Sequence, residues 1–187
     1  MPDAELRRAR FDALFREHHP AIQAFARRRV PAEVVDDIVS ETFLVVWRRL
    51  DDVPAVPLPW LLAVARNVVG TEWRGAARRQ RLWVRAQRGH VKTYESSESG
   101  TEDGRVLTAL AVLRERDREA LTLVAWDGLT PAQAAAVVGE PPARFRQRLH
   151  RARRRLRAEL ADMSATELRA DELAGIRHDH ASTGGPA

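Results

Sequence analysis

Eight arginines fall within the seventeen residues RFRQRLHRARRRLRAEL at 144–160, against the single acid Glu159. Guanidinium groups at that density suit phosphate oxygens, and a planar guanidinium can also take a guanine edge bidentately. The residues that interrupt them are equally regular. Phe145, Leu149, Ala152, Leu156 and Leu160 are spaced four, three, four and four, which makes one helical stripe that anchors the segment. The arginines are left to the outward faces. Immediately upstream lies GLTPAQAAAVVGEPPARF. Thr130 suits a helix cap, Pro131 the first helical position and Gln133 the reciprocal place in a capping box. Ala134, Val137 and Val138 supply a buried face, Gly139 permits a sharp turn and Pro142 can open the next helix. This is the layout of a helix-turn-helix whose second helix enters the DNA major groove. Arg144, Arg146, Gln147, Arg148, His150 and Arg151, near the start of that helix, are the candidate DNA contacts, with Arg153–Arg155 placed for phosphates. A solvated helix, or one docked on acidic protein, is the competing reading.

Positive charge recurs elsewhere. Residues 59–90 hold seven arginines against Glu72 alone. Residues 31–52 instead carry six acids (Glu33, Asp36, Asp37, Glu41, Asp51, Asp52) against Arg48 and Arg49, and 95–103 are acidic again. Two basic blocks separated by acidic sequence suggest two contacts with a polyanion. The net charge is only +5 over 187 residues, so its distribution matters more than its sum. There is no cysteine, which excludes disulfides, thiolate metal ligands and cysteine nucleophiles. Histidines at 18, 19, 90, 150, 178 and 180 form no nucleophile or metal pattern. No enzymatic activity, metal or cofactor is expected. No apolar run approaches the roughly 18 residues of a membrane span, and MPDAELRRARFDALF lacks the apolar core of a signal peptide. A soluble, cytoplasmic chain with no membrane span is expected.

The elements that must position these groups read as helices throughout, since no run alternates at the strand period. Phe11, Leu14, Phe15, Ile22 and Phe25 recur at helical intervals in 11–29, and Val34, Val35, Ile38, Val39, Val45, Val46 and Leu50 do so in 33–50. DDVPAVPLP at 51–59 is expected to be a loop because of its prolines, followed by a helix from Trp60 to about Arg81. Val106, Leu110 and Leu113, then Leu121, Val124 and Ala125, predict two further helices, with Gly128 as a stop. The expected fold is all-α: two small helical domains at 1–86 and 105–161 joined by a flexible acidic linker at 87–104, the second containing the helix-turn-helix. The tail at 162–187 reads as frayed, with TELRADELAGI able to form one more weak helix.

In this order, FDALFREHHPAIQAFARRRV, DDIVSETFLVVWRRL, PWLLAVARNVVGTEWRGAARRQR and, beyond the acidic linker, GLTPAQAAAVVGEPPARFRQRLHRARRRLR resemble the extracytoplasmic-function (ECF) sigma factors of bacterial RNA polymerase. The resemblance covers about residues 11–160. The first three segments are similar to the family's region two and the last to region four, with RLHRARRRL its most typical part. The resemblance implies that region four reads the minus-thirty-five promoter element. It also implies that region two binds core RNA polymerase and the minus-ten element, and that the chain promotes strand opening.

Residue chemistry accords with that division. Asp37 and Glu41 are four apart, as are Asp36 and Ser40, giving an acidic helix surface that repels DNA and favours a basic protein. By resemblance, Asp36, Asp37, Ser40, Glu41 and Trp47 lie at the core-polymerase interface; an exposed acidic face with Phe43 and Trp47 in the core is the alternative. Holding an opened strand requires stacking surfaces and a positive groove, worth roughly 1–3 kcal/mol per base. Asn67, Trp73, Arg74, Arg78 and Arg79 offer these for the minus-ten element, while Trp60 suits the core better than a contact. The loop at 51–58 corresponds to the family's base-capturing loop. Glu95, Glu98, Glu102 and Asp103 make the linker polyanionic, as a transcript mimic or as a soluble spacer. Ser40 stands where the family usually has glutamine, Gly70-Thr71 where it has an aliphatic-acidic pair, and EPPARF where a serine-glycine-threonine turn is commoner. Many relatives have an anti-sigma partner, although no residue here identifies one. The rival reading is a stand-alone helix-turn-helix regulator.

Overall fold

The computed structural model describes the backbone of residues 2–84 and 102–181 and the side chains of residues 4–75 and 104–166. Among these there are seven α-helices and no strand: α1 (Pro2–Arg27), α2 (Ala32–Arg48), α3 (Pro57–Val84), α4 (Glu102–Val112), α5 (Glu115–Ala125), α6 (Pro131–Val138) and α7 (Pro142–Ala181), with a 3-10 turn at Leu50–Asp52. The all-α reading holds. Two packed units divide them: α1–α3 together with Leu123–Phe145, and α4 with α5 as far as Thr122 together with α7 from Arg146 onward.

In the first unit α1, α2 and α3 pack on one another through Ile22, Phe25 and Ala26, through Val35, Ile38, Val39, Phe43 and Val46, and through Leu61, Leu62 and Ala65. Thr42 is fully buried in this layer. Its hydroxyl donates to the Ile38 carbonyl at 2.6 Å, so the polar atom does not enter the core unsatisfied. The alanine-rich α6 packs against α3 with Ala134, Ala135 and Val137 buried. In the second unit Ala109, Leu110 and Leu113 of α4 and just after it, with Ala120 and Leu121 of α5, are buried, as are Leu149 and Ala152 of α7. Arg105 reaches the Ser164 hydroxyl, which itself donates to the Leu160 carbonyl at 3.0 Å, tying α4 to α7.

The structure corrects several element boundaries. Residues 57–59 of the expected loop are the first turn of α3, because proline lacks only an N–H that the first turn leaves unbonded anyway. The loop proper is shorter. α1 begins well before Phe11 and continues through Pro20, which lies on its exposed side. Glu102 and Asp103, assigned to the linker, open α4. The α7 backbone continues past Asp162 to Ala181 and includes TELRADELAGI, and residues 182–187 of the tail lie outside the described residues. Glu95 and Glu98 lie outside the described residues.

Candidate functional site

Local chemistry fixes both ends of α6. The Thr130 hydroxyl accepts from the Gln133 N–H at 3.3 Å while the Thr130 N–H donates to Gln133 Oε1 at 2.9 Å, which is the reciprocal capping box. At the other end Gly139 adopts φ +70°, a left-handed conformation that a Cβ would strain. Its N–H donates to the last turn of α6, and the Glu140 N–H donates to the Ala135 carbonyl at 2.9 Å. The Phe145 N–H then donates to the Pro141 carbonyl at 3.0 Å as α7 begins. The helix-turn-helix is therefore set by short-range bonds.

On α7, Phe145, Leu149 and Ala152 are buried, as the stripe predicts, while Leu156 and Leu160 are only half-buried. Arg144, Arg146, Gln147, His150 and Arg151 are exposed and Arg148 is partly covered. Arg146, Gln147, His150 and Arg151 line one open groove of about 380 Å³. Arg148, Arg151 and Arg155 line another of about 420 Å³, whose opposite wall is Arg114, Glu115, Arg116 and Asp117 at the start of α5. Buried Asp117 is paired with Arg155. Sequence reasoning missed this wall. Arg114 and Arg116 sit in the mixed-charge run RERDRE, and no periodicity there announces a partner.

The α2 surface has the opposite sign. Asp36, Asp37, Ser40 and Glu41 are all exposed, beside buried Ile38. Phe43 is buried, as the alternative reading has it, whereas Trp47 is 40% exposed. One side of its ring meets Phe11 edge-on at 5.2 Å, and Arg7 lies over it at 5.5 Å while donating to the Trp47 carbonyl and pairing with Asp51 at 2.7 Å. The tryptophan is thus held in place and still presents surface.

Along α3, Asn67 is exposed and its carbonyl accepts from the Thr71 hydroxyl, which in turn accepts from Arg74 at 3.0 Å. Asn67 and Arg74 therefore share one face. Trp73 is exposed but lies about 120° around the helix from Asn67. The structure does not bring it to them. Arg78 and Arg79 lie outside the described side chains. Trp60 is partly buried beneath Arg49, whose guanidinium carbon is 5.7 Å from the ring centroid. Gly70-Thr71 does not interrupt the helix.

A further cluster has no counterpart in the sequence reading. Asp127, its side chain only 3% exposed, pairs with Arg28 and lies 3.7 Å from Arg29. Burial raises its pKa above the ordinary carboxylate value, outweighing the lowering by the two arginines. Arg28 also lies 5.7 Å from the Trp126 ring centroid, and Arg29 stacks 3.5 Å over Phe25. Among the described residues no cluster of histidine and carboxylates could hold a metal ion, and no helix is long and apolar enough to cross a membrane.

An acidic face on α2 and a basic face on α7, which follows the α6 turn as a helix-turn-helix, thus stand in one all-α chain. Comparison with known proteins gives the family. Residues 14–79 match the family described as Sigma-70 region 2, and residues 103–156 match Sigma-70, region 4. The chain is 38% identical over 130 residues to the ECF RNA polymerase sigma factor SigC of Mycobacterium tuberculosis, covering 66% of this chain and 69% of that one. It is 33% identical over 147 residues to the ECF RNA polymerase sigma factor EcfG of Rhodopseudomonas palustris, covering 75% and 80%. Among solved structures, CnrH in complex with the cytosolic domain of CnrY matches with a TM-score of 0.59 at 29% identity, covering 81% of this chain and 88% of that one. The chain belongs to the ECF RNA polymerase sigma factors and is a sigma factor for transcription initiation. Because region 2 is present as well as region 4, the stand-alone regulator is not favoured.

Proposed function

We propose that residues 1–86 act as the polymerase and minus-ten module and residues 105–161 as the minus-thirty-five module, with 87–104 as the linker and 162–187 as an appended tail. In this reading Asp36, Asp37, Ser40, Glu41 and the exposed part of Trp47 meet core polymerase. Arg144, Arg146, Gln147, Arg148, His150 and Arg151 meet the minus-thirty-five duplex. Asn67 and Arg74, with Arg78 and Arg79, meet the minus-ten element, and Trp73 offers a stacking surface on a separate face. The observation that carries the reading is the opposite sign of two outward faces: α2 shows carboxylates, whereas α7 shows arginines. One repels DNA and the other attracts it.

The chain acts in the cytoplasm, where polymerase and promoter are, and performs no chemistry of its own. Its relative CnrH is solved in complex with the cytosolic domain of CnrY, and an anti-sigma protein is the corresponding partner proposed here. The test is co-purification of the tagged chain with purified core RNA polymerase, followed by transcription from mapped promoters. Stoichiometric association and promoter-dependent transcripts support the reading. No association with core enzyme, alongside retained duplex binding, would overturn the polymerase assignment.

A further inference from the structure

The segment Leu123–Phe145 packs in one unit with α1–α3. Leu129, Ala134, Ala135 and Val137 of this segment are buried, and α6 lies against α3. Just ahead of α6, the Asp127 carboxylate is engaged by Arg28, which follows α1 and stands 99 positions away in the chain. In the reading proposed above these are parts of different modules: α1–α3 serves polymerase and the minus-ten element, whereas α6 and Arg144 serve the minus-thirty-five duplex.

That packing limits how far apart the two modules can work. Elements centred at minus ten and minus thirty-five are about 25 base pairs apart, roughly 85 Å of duplex at about 3.4 Å per pair. Arg144 lies only six residues past Val138 at the end of α6, and Asn67 lies within α3. With α6 on α3 and every link drawn out to its limit, the Cα atoms of Asn67 and Arg144 stand no more than about 70 Å apart. Asn67 and Arg144 are both exposed. The packing therefore restricts their separation without covering either. Residues 85–101, between α3 and α4, reach about 60 Å when fully extended, and that length counts toward the span only once α6 leaves α3.

The contact is also built to release. α6 has eight residues and presents two alanines and a valine to its buried side. Arg28 Nε and Asp127 Oδ2 make no hydrogen bond although both are buried. Burial raises the Asp127 pKa in spite of Arg28 and Arg29, so the desolvation cost of the carboxylate exceeds their attraction. Such a pair fixes where α6 docks and adds little to how tightly it is held.

We propose that the docking of α6 on α3, registered by Asp127 against Arg28, is an autoinhibitory latch: the closed chain engages at most one promoter element at a time, and the latch opens before both are bound. This rests on the module assignment proposed above.

The natural chain has no cysteine, so Arg28→Cys/Asp127→Cys places two unique thiols across the latch. Removing both partners together leaves neither one as an uncompensated buried charge. The full-length variant is treated in its free form with a short bismaleimide whose spacer contains a reducible disulfide, then combined with core RNA polymerase on a mapped promoter. An intramolecular cross-link is expected to form, and transcription by the locked chain is expected to fall about tenfold or more, as the open form becomes a minor population. Reductive cleavage of the spacer is expected to restore transcription to the level of the untreated variant, which shows that the variant folds. Failure of the free chain to form the intramolecular cross-link overturns the latch, and so does transcription by the locked chain equal to that of the untreated variant. Equal transcription by the natural chain from a promoter stripped of its minus-thirty-five element would instead remove the module assignment, a result independent of any cross-link.

Discussion

α2 and α7 are built alike and face their surroundings with opposite charge. Each carries a helical stripe that goes under, Val35, Ile38, Val39 and Val46 in one and Phe145, Leu149 and Ala152 in the other. Each also leaves its polar residues outside. On α2 those are Asp36, Asp37, Ser40 and Glu41; on α7 they include Arg144, Arg146, Gln147, His150 and Arg151. The stripe decides where a helix sits, and the outward face decides what it meets. The two decisions are separable because side chains about 100° apart on a helix answer to different surroundings.

The largest test of that separation removes a stripe residue. Phe145 is fully buried, so Phe145→Ala is expected to cost about 3–5 kcal/mol of stability through lost burial and the cavity left behind, measured by urea unfolding. Duplex binding is expected to fall with it, because the outward face loses its support. Charge reversal on the other helix should do the converse: Asp37→Arg/Glu41→Arg is expected to weaken core-polymerase affinity tenfold or more with the unfolding midpoint nearly unchanged. An equal affinity for polymerase would detach the acidic face from its proposed role.

Arg146→Ala sharpens the comparison within α7. It is expected to cost roughly 1–3 kcal/mol on the preferred promoter sequence and much less on others, read by competition between labelled duplexes. Gly139→Ala, at φ +70°, is expected to cost about 1–2 kcal/mol of stability through left-handed strain, since nothing lies within 4 Å of the added Cβ to clash.

The smallest effect contrasts a covered carboxylate with the exposed ones. Asp127 has its pKa raised from 3.8, with desolvation the largest cause. The folded state therefore keeps this proton to higher pH than the unfolded chain does. The resulting stability is fully present below about 3.8 and is lost as pH rises through the elevated folded value. Asp127→Asn should lack this loss, so the difference in unfolding midpoint between the variant and the natural chain moves in the variant's favour as pH is raised from the acid side. Asp37→Asn is the exposed counterpart, and a matching pH trend there would assign the effect to something other than burial.

The features legible in the sequence were those carried by short-range patterns. The Thr130 and Gln133 capping box, the Gly139 turn, the Phe145 stripe and the exposure of Asp37 and Glu41 each follow from spacing on one helix. Part of what was not legible depends on chain segments far apart. Asp127 meets Arg28 across 99 positions and Asp117 meets Arg155 across 38, and no periodicity links such residues. Composition groups Trp73 with Asn67 and Arg74, and only the helical phase separates it. Residue type alone makes the prolines at 57 and 59 breakers, whereas position within the first turn of α3 decides that they are tolerated.

The eight-residue α6 is shorter than a helix that holds alone in water, and both its ends are chemically fixed. Such a segment accepts exchanges on its outward side but no change of length. An insertion would separate Thr130 from its place opposite Gln133 or move Gly139 off the one position that needs it. In evolutionary terms, the outward residues of α7 are free to drift toward new promoter sequences while Thr130–Pro142 acts as a frame with no spare residue. Divergence among related chains should therefore appear as substitution on the recognition face, and gaps in alignments should fall before α4 or after the Ala152 stretch of α7.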